Sequence, residues 1–262
     1  MGVFDDKGMA QSLIGSSKEG DYYIVRARNT EVVEYGHPDW VGKDTVESHV
    51  ETYVDAGGIE EIVVGKGGYN VVAARDAQKI TGNDQPNIIW GGQGKSAIDG
   101  GKGDDSLNGG IFEDTLTGGE GNDTFNFGED KNWNASTIIY VDVIKDFDVN
   151  RDQIVLNTAS YKALRPGFTF EVAKSIEGLD LLKSQIIYCS ENGGLYYNPN
   201  QGKKAFAGFS RVNGTFVYDA GGLFAIFENK PMLERKHIFI SIVDPKKVVD
   251  FEPTNQAGPF VQ

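Results

Sequence analysis

A nine-residue period runs through the middle of this sequence. From Gly82 onwards the chain reads as five consecutive blocks, GNDQPNIIW, GGQGKSAID, GGKGDDSLN, GGIFEDTLT and GGEGNDTFN. Each block has a large apolar residue at its eighth position, and the same spacing extends towards the N-terminus. The apolar residues at this spacing are Ile62, Val71, Ile80, Ile89, Ile98, Leu107, Leu116 and Phe125. Such regularity indicates an internal structural repeat.

Glycine decides which structure the repeat adopts. The chain has 34 glycines, and each would cost a helix about 1 kcal/mol. A glycine-rich composition is also typical of a flexible linker, but a linker does not keep apolar residues at a fixed spacing. We therefore interpret each block as a tight turn followed by a short strand whose middle side chain points inward. Two blocks form one coil, and stacked coils bury the apolar residues between two parallel sheets.

Strand-length runs of β-branched and aromatic residues flank the repeats. Only the segment 176–183 predicts a short helix. The runs are 21–26, 45–50, 138–144, 167–172, 184–188, 195–197, 215–218 and 223–227, and turn signals such as Asn192-Gly193-Gly194 and Asn213-Gly214 separate them.

These patterns predict an all-β protein built on a parallel β-roll, or β-solenoid, of nonapeptide repeats with flanking strands and a C-terminal β cap. We predict an N-terminal β flank over 1–55, the roll over 56–127, the cap over 128–241 and an extended tail over 242–262. The flank, the roll and the cap are expected to form one continuous β body.

Composition narrows the functional classes. Lys and Arg number 25 against 38 Asp and Glu, so the formal net charge is −13. This acidity argues against nucleic acids and anionic membranes as partners and favours cations or basic partners. The single cysteine, Cys189, excludes an internal disulfide framework and a cysteine-based zinc site. No secretory signal peptide is expected at the N-terminus, and no apolar run approaches the ~18 residues that span a membrane.

Acidic residues at the sixth position of the turns predict a site for a hard cation. Stacking places a turn beside the turn two blocks further on, so Gly100–Asp105 faces Gly118–Asp123, and both keep the full pattern G-G-x-G-x-D. Calcium takes about six to eight oxygen ligands and tolerates irregular geometry. The alternative is that these acidic side chains only face water at the turns and bind no cation. We expect one calcium ion bound by the carboxylates of Asp105 and Asp123 and the carbonyls of Gly101, Gly103, Gly119 and Gly121.

The turns on the opposite edge of the roll depart from this pattern. Gly91–Ser96 has no aspartate, and Gly109–Asp114 has Phe112 where a small residue is expected. Asp114, with Glu113 beside it, is therefore expected to hold a cation of lower affinity.

A second acidic series follows the repeats at Asp146, Asp148, Asn150 and Asp152. It begins like an EF-hand loop, but Arg151 stands in place of the turn glycine and Asn157 in place of the bidentate glutamate. A calcium site of another geometry and a solvated turn both remain open for this segment.

The repeats resemble those of the repeats-in-toxin (RTX), or haemolysin-type, calcium-binding β-roll proteins, whose nonapeptide is G-G-x-G-x-D-x-U-x. This resemblance implies a roll that binds calcium and folds in millimolar external calcium, often after type I export without a signal peptide. It covers about residues 13–240, through the segments 13–25, 44–46, 59–64, 80–83, 142–147, 152–154, 186–188 and 194–198.

Two segments depart from the family pattern. Asn198-Pro199-Asn200 stands where the family's cap usually has D-x-D after a tyrosine, which argues against calcium in the cap. About twenty residues follow Ile238-Phe239-Ile240, although the family's export signal generally ends near such a strand, so type I export stays open.

Motifs for catalysis do not occur in the sequence. The three histidines, His37, His49 and His237, are isolated, and neither H-E-x-x-H nor G-x-S-x-G is present. Glu171, Asp180 and Glu191 are candidate carboxylates for a hydrolytic site, but the sequence does not pair them. We therefore predict a protein that is not an enzyme.

These observations predict an extracellular, calcium-binding, structural or adhesive protein whose folding is coupled to calcium between stacked Gly-Asp turns. Expected partners are calcium ions and a cell-surface or virion protein or a glycan, with homo-oligomerisation left open. One alternative is a virion surface or tail component with the same fold. Another is a type I-secreted polysaccharide-active enzyme or effector.

Overall fold

The computed structural model describes most of the chain between residues 2 and 241. The described ranges are 2–9, 12–15, 19–34, 42–54, 58–73, 79–128, 140–161, 163–177, 179, 182–198, 209–212, 215–218 and 222–241. The predicted tail over 242–262 lies outside these ranges, as do His37, Asp180 and Asn200.

Two sheets form the two faces of a roll. The first sheet has twelve strands and is parallel along most of its length. In spatial order it contains β1 (Val3–Asp5), β3 (Tyr22–Val25), β5 (Thr45–Ser48), β7 (Glu61–Val64), β9 (Lys79–Thr81), β11 (Ala97–Lys102), β13 (Thr115–Glu120), β15 (Asp142–Ile144), β22 (Gly222–Phe227), β19 (Gly194–Tyr197), β18 (Ile186–Cys189) and β17 (Phe170–Ala173).

The second sheet has seven parallel strands and forms the opposite face. In spatial order it contains β23 (Ile238–Ser241), β16 (Gln153–Asn157), β14 (Thr124–Phe127), β12 (Ser106–Asn108), β10 (Ile88–Trp90), β8 (Asn70–Val72) and β6 (Thr52–Val54). Two separate strand pairs, β2 (Ser12–Gly15) with β4 (Glu31–Glu34) and β20 (Phe209–Val212) with β21 (Thr215–Tyr218), and a 3₁₀ helix over Arg235–His237 complete the described elements. The all-β, largely parallel architecture confirms the predicted fold class.

The apolar positions of the nonapeptide form the core of the roll. In the first sheet Ile62 pairs with Ile80, Ile80 with Ile98 and Ile98 with Leu116, so each coil takes 18 residues, or two blocks. All eight predicted residues are between 0 and 2 % exposed. Full burial of such a side chain stabilises the fold by roughly 1.5–3 kcal/mol. The same spacing in the second sheet aligns Val71, Ile89, Leu107 and Phe125.

Parallel pairing also continues through the N-terminal flank. Strands β1, β3 and β5 join β7 in register, and the inward residues Tyr23 and Val46 are fully buried. The strands predicted over 21–26 and 45–50 are present as β3 and β5. The predicted boundary between residues 55 and 56 stays a prediction, since β5 and β7 pair across it.

The cap is joined to the roll through the same two sheets. Strand β15 pairs with β13 on one side and with β22 on the other, and β22 is followed by antiparallel β19. Aromatic rings fill the junction, where Phe147 contacts Phe125 at 5.8 Å and Phe227 at 5.2 Å between ring centroids. The predicted boundary between residues 127 and 128 likewise stays a prediction.

The short helix predicted over 176–183 lies partly outside the described residues. Those that are described form turns, in which the N–H groups of Leu179 and Leu182 bond to carbonyls three residues earlier, those of Ile176 and Leu179. This pattern is typical of a 3₁₀ turn.

Candidate metal centre

The turns Gly100–Asp105 and Gly118–Asp123 lie directly above one another on one edge of the roll. Gly101 pairs with Gly119 and Lys102 with Glu120 as extensions of β11 and β13. The Gly103 N–H donates to the Glu120 carbonyl at 2.8 Å. The structure thus brings the two complete G-G-x-G-x-D turns together at a separation set by backbone hydrogen bonds.

Glycine is required in these turns because of the backbone conformation and the close stacking. Gly101, Gly103, Gly119 and Gly121 all have positive φ, at 96°, 108°, 98° and 147°. A Cβ atom on Gly119 or Gly121 would overlap the carbonyl oxygen of Gly101 or Gly103 respectively. The absence of side chains therefore lets two layers of main-chain carbonyls approach each other closely.

The sixth-position aspartates connect the coils. Asp105 Oδ1 accepts a hydrogen bond from the Asn87 N–H at 2.7 Å, and Asp123 Oδ1 accepts one from the Asp105 N–H at 2.9 Å. Asp152 continues the series, because its Oδ1 accepts from the Asp123 N–H at 3.0 Å. Asp105 and Asp123 are 1 % and 0 % exposed, so these carboxylates lie inside the edge of the roll.

The second carboxylate oxygen of each aspartate has no donor. Asp105 Oδ2 and Asp123 Oδ2 are buried and accept no hydrogen bond from any described residue. Burial, with repulsion from neighbouring acids, raises the pKa of Asp105 to about 7 and the pKa of Asp123 to about 6. Buried anionic oxygens without a donor are costly, and a bound cation supplies the missing positive charge. The chemistry of these two residues therefore fits calcium.

Main-chain oxygens would have to supply most of the remaining ligands. Within the described ranges, no group of three or more His, Cys, Asp or Glu side chains is placed to share a metal ion. A carbonyl already bonded within a sheet keeps a second lone pair for a cation. Those of Gly101, Gly103, Gly119 and Gly121 lie in the two stacked turns, and with Asp105 and Asp123 they make the candidate donor set.

The acidic series after the repeats packs against the Gly118–Asp123 turn as the next layer of this edge of the roll. Asp146 accepts the Gly118 N–H with Oδ1 and the Gly119 N–H with Oδ2, both at 2.9 Å. Asp148 bonds to Asn150 and Arg151. The carboxylates of Asp146 and Asp148 are thus engaged with main-chain and side-chain donors, which favours a structural turn over an EF-hand-like loop. The sequence analysis did not predict that Asp146 and Asp152 align with the repeats.

Asparagine side chains bridge the preceding pair of turns. Asn83 Nδ2 donates to the carbonyls of Gly65 and Gly68 at 3.0 and 2.9 Å, and Asn87 Nδ2 donates to the Tyr69 carbonyl at 3.1 Å. The side-chain amides thus donate hydrogen bonds to the carbonyl oxygens of these turns, so the turns are joined without the need for a metal ion. The sequence signal for this bridge is asparagine at the second and sixth positions of the block that begins at Gly82. The sequence analysis did not predict the bridge.

The opposite edge has a partial version of the same arrangement. Asp114 Oδ1 accepts from the Ser96 N–H at 2.7 Å, and the Asp114 N–H donates to Asp142 Oδ1 at 3.0 Å. Glu113, expected beside Asp114 as a ligand, forms an ion pair with Lys95 at 2.6 Å. The structure does not place Asp114 with the other predicted site residues, because it lies on the other edge of the roll.

Two of the three candidate hydrolytic carboxylates, Glu171 and Glu191, are described, and each accepts a hydrogen bond from a different part of the cap. Glu171 accepts a hydrogen bond from the Ser184 hydroxyl at 3.3 Å, and Glu191 accepts one from the Ile176 N–H at 3.4 Å.

Stacked glycine-rich turns joined by short parallel strands define a β-roll built from nonapeptide repeats. Residues 75–107 and 99–133 match the family model of the RTX calcium-binding nonapeptide repeat (4 copies). The match confirms the predicted resemblance over this segment, which is under a quarter of the 262 residues. The chain therefore carries RTX-type calcium-binding repeats.

Other comparisons add little to this match. A similar solved structure is the solution structure of the AlgE6R3 subunit from the Azotobacter vinelandii mannuronan C5-epimerase, at 19% identity and a TM-score of 0.37. It covers 73% of this chain and 93% of that chain. Among curated proteins, no sequence matches this one significantly. The described residues contain no helix with the length and apolar character needed to cross a membrane.

Proposed function

We propose that this protein is an extracellular, non-enzymatic, structural or adhesive β-roll whose central coils complete their folding when calcium binds between stacked turns. The observation that carries the proposal is the pair of buried carboxylate oxygens, Asp105 Oδ2 and Asp123 Oδ2, which have no hydrogen-bond donor in the described part of the chain. They lie in two complete nonapeptide turns of the matched RTX segment.

The physical basis is the charge of the turns. Without a cation, the folded state must bury two carboxyl groups whose mutual repulsion and loss of hydration oppose ionisation. Calcium would neutralise these charges and contribute its binding free energy to folding. The residues that would hold it are Asp105 and Asp123 and the carbonyls of the stacked glycines.

Metal dependence is expected to be confined to part of the roll. The turn pair joined by Asn83 and Asn87 is already bridged by amide hydrogen bonds. In the N-terminal coils, Asp44 Oδ1 similarly accepts the Asp21 N–H at 2.7 Å, and Glu60 Oε2 accepts the Asp44 N–H at 2.8 Å. We therefore expect the coils before Asn87 to keep their strands in the absence of calcium.

The extracellular location rests on the chemistry of the repeats and their resemblance to RTX proteins. Extracellular modules bind calcium with dissociation constants of about 10⁻⁴–10⁻³ M, a concentration range that the cytosol does not reach. A virion location and a polysaccharide-active enzyme stay predictions from the sequence.

Calcium titration of the chelator-treated protein tests the proposal. Far-UV circular dichroism should show a gain of β signal at about 10⁻⁴–10⁻³ M calcium, with magnesium producing no comparable change. The double variant Asp105→Asn, Asp123→Asn should lose this response. Asp84→Asn is the matched control, because Asp84 is an exposed acid in the adjacent turn and should leave the response unchanged.

Two results would contradict the proposal. One is a full β signal in the metal-free protein together with no calcium binding by isothermal calorimetry. The other is an equal loss of calcium response in the double variant and in Asp84→Asn, since that would make the effect one of net charge and not of these two ligands.

A further inference from the structure

The outer face of the second sheet is free of charge along six neighbouring strands. In β6, β8, β10, β12, β14 and β16 the second residue is buried, and the first and third residues point to the outer side of the sheet. We call the twelve residues at these first and third positions the neutral strip. They are Thr52, Val54, Asn70, Val72, Ile88, Trp90, Ser106, Asn108, Thr124, Asn126, Gln153 and Val155. None of them is charged, although 24% of the chain is charged and the net charge is −13.

The first sheet provides the contrast. Its outer face carries Asp5, Glu47, Glu61, Lys79 and Asp99 at the equivalent first or third strand positions. Both sheets derive from the same alternation of turns and strands, so the repeat itself does not exclude charge. The absence of charge is therefore a property of one face of the roll.

Hydrogen bonds between neighbouring strands hold the polar side chains of the strip in place. In each case an amide nitrogen donates to a hydroxyl oxygen, and that hydroxyl keeps its own O–H for another acceptor. Polar groups fixed in this way lose little conformational entropy when a ligand binds. The bonds are Asn70 Nδ2 to Thr52 Oγ1 at 3.1 Å, Asn126 Nδ2 to Ser106 Oγ at 2.9 Å and Gln153 Nε2 to Thr124 Oγ1 at 2.8 Å.

Apolar surface and two buried side-chain nitrogens belong to the same strip. Val54 and Ile88 are 57 % and 40 % exposed. Trp90 and Asn108 are paired in register, and the indole Nε1 and the amide Nδ2 are both buried atoms with no acceptor among the described residues. Asn108 is only 8 % exposed, so its unpaired donor is a buried one. The strip thus combines apolar contacts with fixed hydroxyl and amide groups.

The dimensions of the neutral strip indicate which kind of ligand it can bind. Six strands at about 4.8 Å spacing give a length of roughly 25 Å, and three residues give a width of roughly 10 Å. The resulting area of roughly 250 Å² is well below the ~800 Å² per partner that a stable protein interface buries, so a second copy does not fit. A long, narrow, uncharged strip suits a linear polymer.

We propose that the neutral strip binds a linear, uncharged polysaccharide that lies along the stacking axis of the roll. Sugar hydroxyls would exchange hydrogen bonds with the Thr, Ser, Asn and Gln side chains, and the apolar faces of the rings would contact Ile88 and Trp90. An anionic polysaccharide is disfavoured by the net charge of the protein, and the strip offers no cationic group to it.

Affinity electrophoresis of the calcium-loaded full chain tests this assignment. The neutral probes are hydroxyethylcellulose, galactomannan, laminarin and dextran, and the anionic probe is polygalacturonate. We expect at least one neutral polymer to retard the protein and polygalacturonate to have no effect. Thr124→Glu should weaken the binding by about tenfold, and Thr124→Val should weaken it less, because it removes only the hydroxyl.

Matched controls come from the other sheet. Thr117 lies at the third position of β13, on the opposite side of the same Gly118–Asp123 turn, so Thr117→Glu and Thr117→Val should change binding by less than about twofold. Calcium titration by circular dichroism on all four variants separates loss of ligand binding from loss of the calcium response, so a failure of either proposal can be recognised.

Three outcomes would overturn the assignment. They are no retardation by any of the four neutral polymers, equal weakening in the Thr124 and Thr117 variants, and a dimer in sedimentation velocity that Thr124→Glu dissociates. The last would assign the strip to a second copy of the chain.

Discussion

The metal-free protein should become less stable as the pH rises from 5 to 8. A carboxyl whose pKa rises from 3.8 to about 7, as for Asp105, costs the ionised folded state about 4 kcal/mol. Asp123, with a pKa raised to about 6, adds about 3 kcal/mol. The two acids lie close together and titrate as a coupled pair, so their separate costs do not add in full and we expect about half of this sum.

The sign follows from the direction of these pKa changes. Both pKa values are higher in the folded state, so between about pH 4 and 7 the folded protein binds more protons than the unfolded chain. Its stability therefore falls as the pH rises through this window and levels off above it. Calcium should reverse the effect at pH 8, because it binds ionised carboxylates.

Urea unfolding of dialysed, calcium-free protein at pH 5 and pH 8, followed by circular dichroism, measures this difference. Other acids also titrate, so the double variant Asp105→Asn, Asp123→Asn is the reference. Its amides imitate the protonated carboxyls, and it should be more stable than the wild type at pH 8 by about 3–4 kcal/mol when calcium is absent. A wild type at least as stable as the variant at pH 8 would refute the reasoning.

Three further predictions concern packing and turns, each measured as the free energy of unfolding, the first two in saturating calcium and the third with and without it. Leu116→Ala should destabilise the roll by about 3–5 kcal/mol, because Leu116 is fully buried, whereas Ile88→Ala at a partly exposed position should cost less than about 1 kcal/mol. Gly119→Ala should cost more than Gly167→Ala, since both have positive φ but only Gly119 stacks against backbone; equal effects would argue against close stacking. Asn83→Ala should cost about 1–3 kcal/mol with and without calcium, because it removes the hydrogen bonds of the side-chain amide to the Gly65 and Gly68 carbonyls, of which the Gly65 carbonyl keeps the Gly68 N–H as a donor; a loss seen only without calcium would contradict the metal-free bridge.

The repeat itself could be predicted from the sequence because it is local. Each block specifies its own turn and strand, so the eighth position is inward in every coil, and all eight predicted residues are buried. The stacking of Gly100–Asp105 on Gly118–Asp123 followed from the same period, since two blocks complete one coil. The class of ligand followed from the glycines and acids of these turns.

For residues outside the nonapeptide repeats, the position in the fold could be determined only from the strand pairing in the structure. Asp146 and Asp152 meet the repeats after an insertion that lengthens one coil to 28 residues, as Thr115 pairs with Val143. Strand β22 joins the same sheet from far along the chain, where Ile226 pairs with Val143. No fixed spacing in the sequence identifies these partners, because an insertion can have any length while the strand register is kept.

The sequence by itself determined the roll, its inward residues and the acidic turns, because a repeated local conformation needs only a repeated local sequence. The tertiary structure decided the rest. It placed the Asn83 amide against the carbonyls of Gly65 and Gly68, and it buried Asp105 Oδ2 and Asp123 Oδ2 where none of the described residues donates to them. It also separated a charged face from a neutral one. These features depend on which coils become neighbours, and that is set by packing between segments that are distant in the chain.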